Sequence, residues 1–403
     1  MINRKALSLY LSYKHVPTPL SIIEGKGRKM ADVRCPDFST TCLLPEGKIV
    51  EKLNYLLTQT IVNMRDRWLV SEKPAILLSG GIDSGIVAVI ASKLFGKGLR
   101  TFCITYDHES EGKSTDREYS KRIAELCGSK HSELMIKLDD FPNALIESSR
   151  IMGEPFSGYI TPWFAGKMLA EHEVKTVLTG DWGDELFGSY KAHRLAAQMP
   201  GTPSWALRYE TVVFNDNEKK LLCRGPVASA LDHLKYEYFH SNLNAHDSVN
   251  RMLEAEFHSF YPDHTYLAFS ALTKHFGVNA VSPYSDNQFA DFAASIPGHL
   301  KVTPDGETKY IEKKLAERYL PKEIVHRPKE GFTTNTLKLC TDLEQWVKST
   351  LRPEHLNRHW LFNVKYVESI ISRFYNSPND DDAYKVWNLV CFQVWYDRYF
   401  GYV

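Results

Sequence analysis

The stretch AILLSGGIDSG, Ala75 to Gly85, decides how the rest of the chain is read. An apolar run ends at Ser79, two glycines follow, and Asp83 and Ser84 open a segment with helical character. Glycine reaches backbone conformations closed to other residues, so Gly80 and Gly81 let N–H groups approach an anion. The following helix start adds unpaired donors and a partial positive charge. Ser79 and Ser84 supply hydroxyls for phosphate oxygens. Asp83 beside an anion implies a divalent cation between the two, which is how Mg2+ meets nucleotide phosphates. A plainer reading stands on the residues alone: a tight glycine turn with Asp83 as a helix cap. The chain has no GxxxxGK[ST], and no GxGxxG follows a strand.

Outward from this stretch the same alternation continues. LRTFCIT (99–105), SELMI (132–136) and VKTVLT (174–179) are short, apolar and partly β-branched, as AILLS (75–79) is. Between them, IVAVIASKLF, TDREYSKRIAELC and PWFAGKMLAEH carry helical spacing. Strands separated by such helices predict right-handed βαβ units and a parallel sheet covered on both faces. The expected fold is α/β, with the core at 51–200 and a mostly helical region at 201–403 that completes the substrate cleft. Within the core, Leu53, Leu56, Leu57, Ile61 and Met64 predict a helix from Ile49 to about Trp68. Residues 1–50 read as a lead-in, with ALSLYLSYKHVP a short helix stopped by Pro17.

Composition narrows the function class. The chain has 403 residues, 43% of them hydrophobic, enough for one large or two ordinary domains. Lys+Arg and Asp+Glu both number 49, so no global field favours bulk nucleic acid as a partner. MINRKALSLYLSYKH is too short and interrupted for a signal peptide, and no apolar run reaches membrane-span length. A cytoplasmic protein without a membrane partner is expected. Its seven cysteines are scattered without a CxxC pair and read as inert thiols, and the histidines show no zincin pattern.

LSGGIDSG resembles the pyrophosphate-binding loop of the ATP pyrophosphatase superfamily, which cleaves ATP between the α and β phosphates. TGDWGDELFGSY, Thr179 to Tyr190, resembles the SGEGSDELFGGY block of asparagine synthetases and their β-lactam-forming relatives. GVNAVSPYSD (277–286), LPKEIVHRPKEGF (320–332), LSLYLSYKHVPTPLSIIEG (7–25) and the tail VWNLVCFQVWYDRYF are similar to further blocks of the same family. The resemblance covers nearly the whole chain. It implies an adenine nucleotide α-hydrolase-like core and an ATP-dependent, AMP-forming carbon–nitrogen ligase. A carboxylate would be adenylated with release of pyrophosphate, then passed to ammonia or an amine.

The resemblance also implies roles. Asp83 and Asp184 match the metal-binding aspartates, which would bridge Mg2+ to the triphosphate. Leu78, Ser79, Gly80, Gly81, Asp83, Ser84 and Gly180 fall on the nucleotide-binding side. Lys329 matches a lysine that stabilises charge developing in the transition state, and Lys309 matches another that contacts phosphate. As isolated residues, Asp184 reads as a solvated turn carboxylate and the two lysines as surface charges.

The acceptor half departs from the family pattern. Asn279 stands where the family has a glutamate, Val281 where it has an arginine, and Ser270-Ala271 where it has an aspartate-arginine pair. Asn279 can orient a carbonyl or amine but cannot take a proton as a carboxylate does. Asp181 is left as the expected base near the nitrogen. Phe156, Tyr159 and Trp163 line either the acceptor pocket or the core. In complete asparagine synthetases a glutaminase domain begins with a nucleophilic cysteine directly after the initiator methionine. Residue 2 here is Ile2, so nitrogen is expected from free ammonia, a separate glutaminase or an amine co-substrate. The expected acyl donor is a small-molecule or peptide carboxylate, with a carrier protein as a further partner. Two other outcomes remain: a noncatalytic nucleotide-binding or interaction protein on this fold, and an asparagine synthetase fed by free ammonia or a partner glutaminase.

Overall fold

The computed structural model describes residues 1–68, 75–96, 98–106, 114–235, 243–327 and 335–402. Five parallel strands, β1 (Ala75–Leu77), β2 (Arg100–Tyr106), β3 (Lys130–Ile136), β4 (Thr176–Leu178) and β5 (Asn279–Val281), form one sheet in the order β3-β2-β1-β4-β5. The first four coincide with the four apolar runs. The fifth, NAV, is supplied by the otherwise helical region beyond residue 200. The expected α/β architecture with a helical C-terminal region stands, and the two regions share a sheet.

Strand order fixes where a ligand goes. The chain moves outward from β1 through α3 (Ile82–Phe95), β2 and α4 (Ser114–Leu126) to β3, then returns to lay β4 on the other side of β1. The loops after β1 and β4 therefore diverge and leave a crevice beyond their carboxyl ends. Both loops carry the candidate metal aspartates.

Each face of the sheet is covered. Ile76, Leu78 and Leu178 join one core with Ile86, Val87 and Ile90 of α3 and Leu53, Leu57 and Ile61 of α2 (Glu46–Trp68). Ala75, Leu77 and Val177, one residue out of step, join the other core. That core includes α1 (Arg4–Tyr13), α5 (Phe141–Met152), α6 (Thr161–Glu171) and the final helix Asp380–Tyr399. Burial of each Ile, Val or Leu side chain contributes roughly 1.5–3 kcal/mol before conformational entropy is counted. α3 is apolar almost all round and buries nine residues, which anchors the glycine loop at its start.

The lead-in is more deeply embedded than its sequence suggests. In α1 every residue from Ala6 to Tyr13 is buried, and the Tyr10 hydroxyl donates to Asn388 O at 2.7 Å. The helix ends at Lys14, left-handed at φ 70°, whose N–H returns to Tyr10 O; Pro17 comes three residues too late to be the stop.

Candidate active site

The loop after β1 is shaped by close approach. Gly80 has φ +74°, and a side chain there would place Cβ 2.7 Å from Asp116 O, so only glycine fits. Gly81 caps α3 without a side-chain hydrogen bond, which leaves the first helical N–H groups facing the crevice. Ser84 Oγ accepts from Ser79 N at 3.1 Å and lies 3.1 Å from Ser79 Oγ, holding the loop across its turn. Leu78 stands below it with its side chain fully buried in the core.

The loop after β4 packs directly on this one. A Cβ at Gly180 would fall 2.5 Å from Ser84 N, and one at Gly183 would collide with the Asp83 carboxylate. Between the two glycines Trp182 takes φ +73°, a strained conformation for a large residue, held by ring contacts with Phe257 and Tyr261. α7 (Gly183–Phe187) then starts with Asp184 in its first turn. Glycine at 180 and 183 thus brings Asp83 and Asp184 together from two different loops.

Lys309 joins the two carboxylates. Its ammonium is paired with Asp83 Oδ1, lies 2.7 Å from Asp184 Oδ1 and 3.3 Å from Glu312 Oε2. It stands at φ +57° just before the helix Tyr310–Ala316, and only 3% of it is exposed. Burial works against the lysine's charge, but Asp184, Asp83 and Glu312 outweigh it and raise its pKa well above the usual value. Burial, then the Asp83 charge, raises Glu312 well above the carboxylate range. Glu312 has no exposed surface, and Tyr284 beside it donates to Asp83 O at 3.4 Å.

Asp181 sits one turn before Asp184. Thr179 Oγ1 donates to its Oδ2 at 3.1 Å, and Ser282 Oγ, just past β5, donates to its carbonyl at 2.5 Å. Burial first, then the Asp184 and Asp83 charges, pushes its carboxyl up to about 7. Behind it, Glu185 accepts from the Tyr190 hydroxyl at 2.6 Å and is raised to about 8 by burial and by Asp184. Tyr159 and Tyr261 face these carboxylates, and burial with the Asp181 and Glu185 charges raises both phenols.

The structure therefore gathers Ser79, Gly80, Gly81, Asp83, Ser84, Gly180, Asp181, Asp184 and Lys309 at one crevice. Asn279 is not among them. It opens β5, exposed, with its N–H on Lys175 O, so it lies at the amino end of the sheet. Three residues along neighbouring β4 separate that level from Thr179, roughly 10 Å of strand. Ser282, not Asn279, reaches the crevice from this segment. Lys329 lies outside the described residues. Phe156 packs on His264 and Trp163 on Phe164 and Phe276, while Tyr159 donates to Thr265 O at 3.1 Å and is the one of the three whose phenol responds to the Asp181 and Glu185 charges.

Glu312, Tyr284 and Ser282 were not legible as site residues. Glu312 is hidden in the charged run TKYIEKK, and its only signal is the three-residue spacing from Lys309. Among the described residues no three His, Cys, Asp or Glu side chains form a metal cage, and no helix is long and apolar enough to cross a membrane. Two hard carboxylates beside a phosphate loop nonetheless suit Mg2+, which is commonly bound by one or two carboxylates plus substrate phosphates.

A parallel sheet with a glycine loop and paired carboxylates at its switch point has the arrangement in which open α/β sheets bind ligands beyond the carboxyl ends of their strands. The chain belongs to the asparagine synthase family, whose model matches residues 59–397. The family makes it an ATP-dependent carbon–nitrogen ligase. It is 25% identical to asparagine synthetase [glutamine-hydrolyzing] 1 of Bacillus subtilis, over 98% of this chain and 69% of that protein. A putative asparagine synthetase [glutamine-hydrolyzing] of Mycobacterium tuberculosis is 23% identical over 79% of this chain and 53% of its own length. A second such putative enzyme, from Methanocaldococcus jannaschii, is 29% identical over 48% of this chain and 39% of its own length.

Proposed function

We propose that this chain adenylates a carboxylate with ATP, releasing pyrophosphate, and then joins the acyl group to ammonia or an amine. The observation that carries the reading is the meeting of Asp83 and Asp184, across Gly180 and Gly183, beside the Ser79–Gly81 loop. The loop N–H groups and the start of α3 receive the β and γ phosphates. Asp83 and Asp184 would hold magnesium, which would supply charge neutralisation at the phosphates. A carboxylate oxygen attacks the α-phosphorus in line, the bond to the β-phosphate oxygen breaks, and pyrophosphate leaves. Lys309 holds the two aspartates in register and turns its charge toward the phosphates. Lys329 serves the developing charge.

In the second step the amine nitrogen attacks the acyl carbon, AMP departs, and the nitrogen gives up a proton. Asp181, half-buried and raised to about 7, is suited to take it near neutral pH. Tyr159 and Tyr261 form the wall on the acceptor side. Aspartate is one carboxylate to test among others, since the acceptor half differs from the family pattern at Asn279 and Val281. The nitrogen source is free ammonia, a separate glutaminase or an amine co-substrate, with a carrier protein as a further means of delivering the acyl group. The reaction belongs in the cytoplasm, where ATP is abundant. ATP–pyrophosphate exchange with amino acids and other carboxylates, followed by amine donors, tests the reading. Magnesium-dependent exchange with at least one carboxylate supports it; nucleotide binding without turnover across the panel argues for a noncatalytic protein.

A further inference from the structure

Arg327 lies beside the glycine turn, against α4. Its side chain is 7% exposed, and its Nη2 would lie 4.0 Å from a Cβ built at Gly81. One turn of α4 holds it: Asp116 Oδ1 accepts from Nη2 at 2.5 Å, and the guanidinium stacks 5.0 Å from the centre of the Tyr119 ring. The same turn abuts Gly80, through Asp116 O and Ser120 N. Loop and arginine are thus positioned by one element.

Two of the guanidinium nitrogens, Nε and Nη1, are buried and have no hydrogen-bond partner among the described residues. A charged donor left unpaired in the interior is costly and calls for an acceptor. Asp116 takes Nη2, and Nε and Nη1, which lie on different edges of the guanidinium, are left as two separate donors. Each is a charged N–H donor suited to a phosphate oxygen. Lys309 cannot fill the same role undivided, because three carboxylates already surround it.

We propose that Arg327 is a phosphate-binding residue of this site, donating from an unpaired guanidinium N–H to the terminal phosphates of ATP and to the released pyrophosphate. Asp116 and Tyr119 are positioning residues that hold the guanidinium beside Gly81. The inference rests on the ATP reading above and adds the residue that grips the leaving group. A pyrophosphate held from one side by loop N–H groups and from the other by a fixed guanidinium is stabilised as it departs.

The test measures binding of magnesium pyrophosphate, of a non-hydrolysable ATP analogue and of AMP by calorimetry on the full chain. Arg327→Gln is expected to weaken pyrophosphate roughly ten- to hundredfold, the range for lost charged hydrogen bonds, while AMP binding stays at the wild-type value. Arg327→Lys keeps the charge without the guanidinium's fixed donors and should fall between the two. If Arg327→Gln destabilises the chain through loss of the Asp116 ion pair, the double variant Arg327→Gln/Asp116→Asn restores stability. Pyrophosphate affinity should stay low in that double variant; its recovery would mark Arg327 as a structural ion pair and overturn the proposal. Wild-type pyrophosphate affinity in Arg327→Gln would overturn it too, leaving the ATP reading intact. Failure of the wild-type chain to bind either pyrophosphate or the analogue would refute both.

Discussion

Lys309 and Asp184 are 125 positions apart in the chain, yet the lysine Nζ lies 2.7 Å from Asp184 Oδ1, inside a cluster completed by Asp83 and Glu312. Three carboxylates converge there on one buried ammonium. Removing the cation leaves like charges facing each other in a desolvated site, and breaking a buried pair in this way costs about 3–5 kcal/mol. Lys309→Met should therefore lower the melting temperature in EDTA. Added Mg2+ should raise it more in the variant than in the wild type, because binding to the folded state stabilises by mass action. No magnesium response in either protein would count against Asp83 and Asp184 as metal ligands.

The approach of the two loops depends on missing side chains at Gly180 and Gly183. A methyl at Gly180 meets the backbone at Ser84 N, which cannot rotate away. Gly180→Ala is expected to destabilise the fold by about 1–3 kcal/mol and to separate Asp83 from Asp184. Magnesium-dependent ATP turnover should fall far more than stability does. A variant with full activity would show that the loops tolerate the wider spacing.

Beneath the site, His193 and Glu256 form a fully buried pair at 2.9 Å, with Arg208 3.6 Å from the second carboxylate oxygen. His193 Nδ1 accepts from Ser189 N and Tyr190 N, so Nε2 carries the proton toward Glu256. His193→Phe strands that carboxylate and should cost about 3–5 kcal/mol in urea unfolding, whereas His193→Gln, which retains a donor, should cost less. Equal losses in the two variants would mean that packing rather than the pair matters.

Lys301 gives a pH-dependent contribution to stability. It is buried, donates to Asn250 Oδ1 at 2.7 Å and Ala294 O at 3.2 Å, and burial lowers its pKa to about 7. The unfolded chain, with lysine near its usual pKa of about 10.4, binds more protons than the folded one between those values. Stability from this group therefore rises with pH from about 7 toward 10, and below about 7 its full penalty is present. Lys301→Met removes the titration. The stability of the variant relative to wild type should be most favourable below pH 7 and decline as pH rises, as read by urea midpoints across that range. A difference independent of pH would rule out this buried amine as a titrating group.

The parts of this molecule that sequence reveals are those encoded locally. AILLS, LRTFCIT, SELMI and VKTVLT announce themselves as strands because apolar, β-branched runs end in turn residues. Ser79–Ser84 stands out because two glycines, hydroxyls and a carboxylate gather at a strand end, and Asp181–Glu185 through the resemblance of TGDWGDELFGSY to a family block. β5 is not, since three residues, NAV, carry too short a pattern, and its pairing with β4 is decided by packing after a long helical excursion. That strand's register explains why Asn279 falls at the amino end while Ser282 reaches Asp181. Glu312 is concealed for a different reason. Charged residues in TKYIEKK suggest solvent, and only the tertiary placement of Lys309 makes a buried glutamate intelligible. Likewise α1 reads as a marginal lead-in, and its burial depends on the distant helix Asp380–Tyr399.

The central claim is that this site joins a substrate carboxylate to the α-phosphorus of ATP. Carboxylates labelled with oxygen-18, aspartate among them, incubated with the chain, ATP, Mg2+ and an amine or ammonia, test it most directly by mass spectrometry of the nucleotide product. The account predicts AMP that carries one labelled oxygen from the carboxylate, with unlabelled pyrophosphate, and loss of both products in Asp83→Asn and Asp184→Asn. Formation of ADP with the label in inorganic phosphate, or of AMP without label, would contradict it.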